Sequence, residues 1–239
     1  MKLKKTIHIL IILITTLLYT NCSKDDSSTP NSDPENLVPE VYEKIYGATS
    51  EITSDGNFVT IRTNGMPDHK SPYYPTTNLL YEPYSGTTFG GGNFNQNPNI
   101  IAEQNFTFRI PLNPTASSNN VATALGAIGV GINGVPLFNQ YAGPNNQPLT
   151  NEINSFDKYY GHPTGSFIYH YHVEPLYLTT VTSSISGLLG FLLDGFPVYG
   201  SEEENGTTVT SSDLDVYHGH THSTVDFPNG TYHYHFTDR

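Results

Sequence analysis

The word Tyr-His-Tyr-His occurs twice in a chain of 239 residues, at Tyr169–His172 and again at Tyr232–His235. Each copy closes a longer unit. "GVGINGVPLFN" (Gly129 to Asn139) aligns with "GFLLDGFPVYG" (Gly190 to Gly200), and "DKYYGH" (Asp157 to His162) aligns with "DVYHGH" (Asp215 to His220). Gly165 and Gly230 stand shortly before the two words, and the matched positions are offset by 61, 58 and 63 residues. Two diverged units of about 60 residues, at about 126–172 and 187–235, restrict the fold to one that the same supersecondary block can build twice. Each block contains Asn-Gly or Asp-Gly, then a proline. The dipeptide supplies the positive φ of a strand-reversing turn, and the proline cannot extend a central ladder. "NGMPDH" (Asn64 to His69) repeats the turn a third time and adds a histidine.

The rest of the chain agrees with a β fold. It holds 17 Tyr, 12 Phe, 21 Gly and 17 Pro, with no long run of helix-period apolar residues. "NFVTIRTNG" and "NFTFRIPLN" alternate as half-buried strands do, placing Phe106, Phe108 and Ile110 on one side. "ISGLLGFLL" reads as a buried strand region, or as a short helix followed by one. The expectation is an all-β, loop-rich, sandwich-like single domain over 38–239, built from the two repeats.

In a strand, residues i and i+2 share a face. His170 with His172, and His233 with His235, are therefore neighbours about 7 Å apart along the chain, while the intervening tyrosines face the other way. Buried imidazoles need partners for both ring nitrogens, and metal ligation backed by acceptors on the far nitrogen satisfies them. His162 and His220 join the four as candidate ligands, with Asp157, Asp194 and Asp215 as candidate orienting acids. Imidazole and carboxylate donors without thiols favour zinc or copper(II). His69 alone reads as a turn residue, His222 as part of a solvated loop, and "SEEENG" (Ser201 to Gly206) as a solvated hairpin tip.

The ends carry separate information. Lys2, Lys4 and Lys5 precede an apolar run from Ile7 to Leu18, too short to span a membrane comfortably and of signal-peptide length. Cys22, the one cysteine, follows directly, so that 1–21 resembles a bacterial lipoprotein signal with Cys22 as the lipidated residue. The next stretch, 22–37, is polar and reads as a flexible tether. The expectation is a protein lipid-anchored at the outer membrane or cell surface. Removal of the leader takes the formal charge from −12 to −15, which repels phosphate backbones and excludes nucleic acid as a partner. A glycan or protein partner is left unspecified. There is no Gly-x-Ser-x-Gly elbow, and "FGGGN" lacks the Lys-Ser/Thr of a phosphate loop.

The paired Tyr-His-Tyr-His words, "NGMPDH", "DGFPVYG" and the Gly-His spacing together resemble the YHYH-domain proteins over about Asn64 to His235. That resemblance implies no activity, so function rests on the residues. Three readings stand. One is a binding module for zinc or copper, in which each repeat gives a histidine pair to one site. A second is an extracellular metal-dependent hydrolase or lyase acting on glycans or small molecules, with Asp194 or Glu174 as candidate base. The third is a structural domain knitted by a His/Tyr hydrogen-bond network without metal.

Overall fold

The computed structural model describes residues 37–237, and the expected signal peptide, Cys22 and nearly all of the expected tether lie outside them. Thirteen short strands carry the fold. β1 (Thr53–Ser54), β2 (Phe58–Thr63) and β3 (Phe106–Pro111) form a three-stranded sheet. β4 (Ala127–Gly131), β5 (Pro136–Phe138), β8 (Gly161–Pro163), β9 (Tyr169–Tyr171), β10 (Leu188–Leu192), β11 (Pro197–Tyr199), β12 (Gly219–His222) and β13 (Thr231–His235) form an eight-stranded one. β6 (Tyr141–Ala142) and β7 (Gln147–Pro148) make a small separate hairpin. Apart from these the described residues hold 3-10 turns, among them Glu152–Ser155, and one π-turn, Leu178–Thr182.

The order of the large sheet is β12-β13-β11-β10-β4-β5-β9-β8. Read inward from either edge, the parts are the same: an edge strand antiparallel to a Tyr-His-Tyr-His strand, which runs parallel to the second arm of a hairpin. The first arms, β10 and β4, meet antiparallel at the centre, with Gly190 opposite Gly131 and Leu192 opposite Gly129. The hairpin turns hold Gly134 at φ 80° and Gly195 at φ 102°, as Asn-Gly and Asp-Gly require.

The sheets pack face to face. Val59, Ile61, Phe108 and Ile110 of the small sheet share a core with Val130, Ile132, Leu189 and Phe191 of the large one. Tyr42 stacks on Phe191 with ring centroids 4.4 Å apart. Each such fully buried side chain contributes about 1.5–3 kcal/mol. The alternation in "NFTFRIPLN" is as expected, Phe108 and Ile110 being buried and Thr107 and Arg109 exposed. A second cluster under the other side gathers Tyr73, Tyr74, Val135, Leu137, Tyr169, Tyr171 and Val198. The tyrosines of the first word thus belong to the core, and its histidines are left to face the opposite side.

Candidate metal centres

The six expected histidines divide into two triads. His162 on β8 stands opposite His170 on β9, and His172 follows two residues later. His220 on β12 stands opposite His233 on β13, followed by His235. The expectation of a single site drawing one pair from each repeat is corrected here. Every triad lies within one half, because each word pairs with the edge strand of its own half and not with the other word.

The ring nitrogens converge. Nε2 of His170 is 3.1 Å from Nε2 of His162 and 2.9 Å from that of His172. In the second triad Nε2 of His220 is 3.1 Å from that of His233 and 3.2 Å from that of His235. Ligand nitrogens each about 2 Å from one ion lie roughly 2.8–3.3 Å apart, from neighbouring octahedral to tetrahedral positions. The spacing is that of a coordination shell.

The far nitrogens decide what the near ones offer. His170 Nδ1 faces the Ile168 carbonyl at 3.1 Å and His172 Nδ1 faces the Asn139 carbonyl at 2.5 Å. A carbonyl only accepts, so each Nδ1 bears the hydrogen and each Nε2 a lone pair. His162 Nδ1 is 2.7 Å from Ser155 Oγ, whose hydroxyl hydrogen goes to the Glu152 carbonyl. That oxygen is therefore an acceptor too. Matching contacts hold two members of the second triad, with His233 Nδ1 on the Thr231 carbonyl at 3.1 Å and His235 Nδ1 on the Gly200 carbonyl at 2.6 Å. Three lone pairs facing one another at these distances repel unless a cation lies between them. A proton is a poor candidate, since burial pushes His162 down to about 3 and holds His170 well below the usual imidazole range. Burial pushes His233 down to about 4 and also lowers His172 and His235.

Two carboxylates that the sequence did not single out stand beside the triads. Glu203 Oε1 is 3.0 Å from His220 Nε2 and 3.9 Å from His235 Nε2, and it groups with His220, His233 and His235 as a possible metal shell. The tip "SEEENG" is thus not wholly solvated, since the Glu203 side chain is only 14% exposed. Glu152 Oε2 stands further off, 3.8 Å from His162 Nε2 and 3.9 Å from His172 Nε2, and the first group is His162, His170 and His172 alone. Burial raises the Glu152 carboxyl above the ordinary value. Counted from the matched positions Asn139 and Gly200, Glu152 and Glu203 do not align. Repeat comparison gives no sign of them.

The aspartates do not orient the histidines. Tyr169 donates to both Asp157 oxygens at 3.0 Å, and Tyr232 donates to Asp215 at 3.0 and 3.1 Å. Asp194 accepts the Tyr234 hydroxyl at 2.6 Å and caps its own turn through Phe196 N. All three sit on the tyrosine face, as strand alternation dictates, and Asp194 as a base for metal-bound chemistry is corrected accordingly. Glu174 belongs to neither histidine group. His69 is buried against Tyr171, Nε2 to hydroxyl 3.0 Å, away from both triads. His222 is half-exposed, with Nδ1 3.5 Å from Glu203.

The model of the YHYH protein family matches residues 107–212. Over those residues the chain carries a YHYH domain. The matched span holds both hairpins and the first word, and ends before any histidine of the second triad, a narrower span than the 64–235 over which the motifs resemble the family. No curated protein and no solved structure matches the chain. The first histidine group lies inside the matched span and the second beyond it, and either could hold a metal ion.

Proposed function

We propose that the domain binds two transition-metal ions, one in each half, and that a duplication of the hairpin-plus-word unit produced the pair. The observation that carries this reading is the convergence of Nε2 lone pairs, fixed by acceptors on Nδ1. A metal-free His/Tyr network fits less well. The word histidines make no hydrogen bond to the word tyrosines, which bond to aspartates, Asn133 and His69 instead. Three or four imidazole and carboxylate donors with no thiol suit zinc or copper(II).

The decisive experiment is elemental analysis of the full chain, prepared without affinity histidines, after equilibration with zinc and with copper(II). Two equivalents are expected. His170→Ala and His233→Ala should each retain one, and the double variant none. A metal-free protein that takes up none on titration would overturn the reading, and loss of both ions in each single variant would overturn the separation into two centres.

We further propose lipid attachment through Cys22, with the domain held by 22–37 at the outer membrane or cell surface. The motif around Cys22 supports this. Cys22→Ser should move the protein from the membrane to the soluble fraction. Unchanged fractionation would count against the anchor.

A further inference from the structure

The two triads differ in one respect that bears on chemistry. In the second, Glu203 completes a shell of four donors. In the first, Glu152 approaches two of the nitrogens, at 3.8 and 3.9 Å, but does not group with all three, and it stands close enough to accept a hydrogen bond from water in the fourth position. Its place is built by the fold. Glu152 and Ser155 lie on one 3-10 turn, and Ser155 Oγ joins the Glu152 carbonyl to His162 Nδ1, which holds the Glu152 backbone beside the triad.

Resting on the metal-binding reading, we propose that the first centre is an open three-histidine site that hydrolyses small uncharged esters, with Glu152 as proton acceptor. The other sides of the triad are walled by rings: Phe138 stacks on His170 at 4.0 Å, and Phe156 lies edge-on to His162 at 4.8 Å and parallel to His172 at 5.8 Å. The histidine side chains are almost fully buried, whereas that of Glu152 is 36% exposed, so the approach from solvent is along the carboxylate. A buried, aromatic-walled position admits a small substrate. A carboxylate at its mouth, on a chain of formal charge −12, disfavours an anionic one such as a phosphate ester.

The ion supplies Lewis acidity to water and carbonyl. Water oxygen adds to the carbonyl carbon as Glu152 takes its proton. The acyl–oxygen bond then breaks, and the proton passes from Glu152 to the departing alkoxide. Ester and water give acid and alcohol, with no oxidant or reductant consumed.

The test uses the full chain loaded with cobalt(II), whose visible spectrum reports coordination. Azide should perturb one of the two equivalents. His162→Ala should abolish that response while the other equivalent stays bound, which shows that the variant has folded. The zinc form should hydrolyse 4-nitrophenyl acetate and leave 4-nitrophenyl phosphate intact. Glu152→Gln should lower ester turnover about 100-fold while retaining two metals and the azide response. Two bound metals with no azide response, or unchanged turnover in Glu152→Gln, would overturn the open site while leaving metal binding intact. Failure to take up metal at all would instead overturn the reading on which it rests.

Discussion

The Nδ1 contacts leave the Nε2 lone pairs of the histidines free to act as ligands. Alternation in the word placed four imidazoles on one face, and this much is legible from residues i and i+2. Which carbonyl each Nδ1 meets is not legible, because Asn139 and Gly200 are 33 and 35 residues away from His172 and His235 and are brought there by parallel strand pairing. The same pairing hid the division into triads. Ser155 is the one side chain in this outer set, so Ser155→Ala should weaken metal binding at the first centre 10–100-fold and leave the second unchanged, as read by competition with a chelator. Proton linkage can be read in the metal-free protein. The folded-state pKa of His162 (about 3) and of His233 (about 4) lies below the unfolded value of about 6.5. The unfolded chain therefore binds more protons between those limits. The contribution of these groups to stability is fully present above about pH 6.5 and is lost as pH falls toward 3–4. Urea melts of the stripped protein from pH 8 to 4 should show that slope, and bound metal should hold the midpoint higher at neutral pH, losing this effect as acid displaces it.

At the scale of the element, the hairpins and their turns were the most readable parts. Asn-Gly and Asp-Gly marked the reversals, and "ISGLLGFLL" became the buried β10. The small sheet followed from simple alternation. What sequence did not display is how closely β4 and β10 approach: a Cβ on Gly190 would lie 2.2 Å from the Val130 carbonyl oxygen, and one on Gly129 would lie 2.5 Å from that of Phe191. Gly190→Ala should therefore cost at least about 2 kcal/mol, by forcing two central strands apart. The turns before the edge strands offer a paired comparison. Asp157 is fully buried and serves the Ser71 and Tyr169 hydroxyls together with Tyr159 N, whereas the corresponding Asp215 is exposed. Asp157→Ala should lose about 3 kcal/mol through stranded buried donors. Asp215→Ala should lose clearly less, and denaturant melts of the two variants side by side would show it.

Across the whole molecule, two sheets enclose one core, and the large sheet carries a triad near each end of its strand order. Metal bound only to the folded state adds stability at each centre, about 4 kcal/mol when free metal exceeds Kd a thousandfold. Chelation should lower the melting temperature, and refilling should restore it in two increments. A further consequence concerns the rims of that sheet. His162 and His220 are carried by β8 and β12, the outermost strands, and each is gathered with histidines of the next strand inward. β8 is three residues long, with little ladder of its own to keep it in place. An ion in each triad would act as a clasp fastening the last strand to its neighbour. Unfastened, β8 and β12 would lift away and bare the polar backbone of β9 and β13, a template for strand addition from another chain. Prolonged chelation should then make the protein self-associate, with light scattering rising before the core unfolds, so the same ions that fill the triads would also keep the molecules apart.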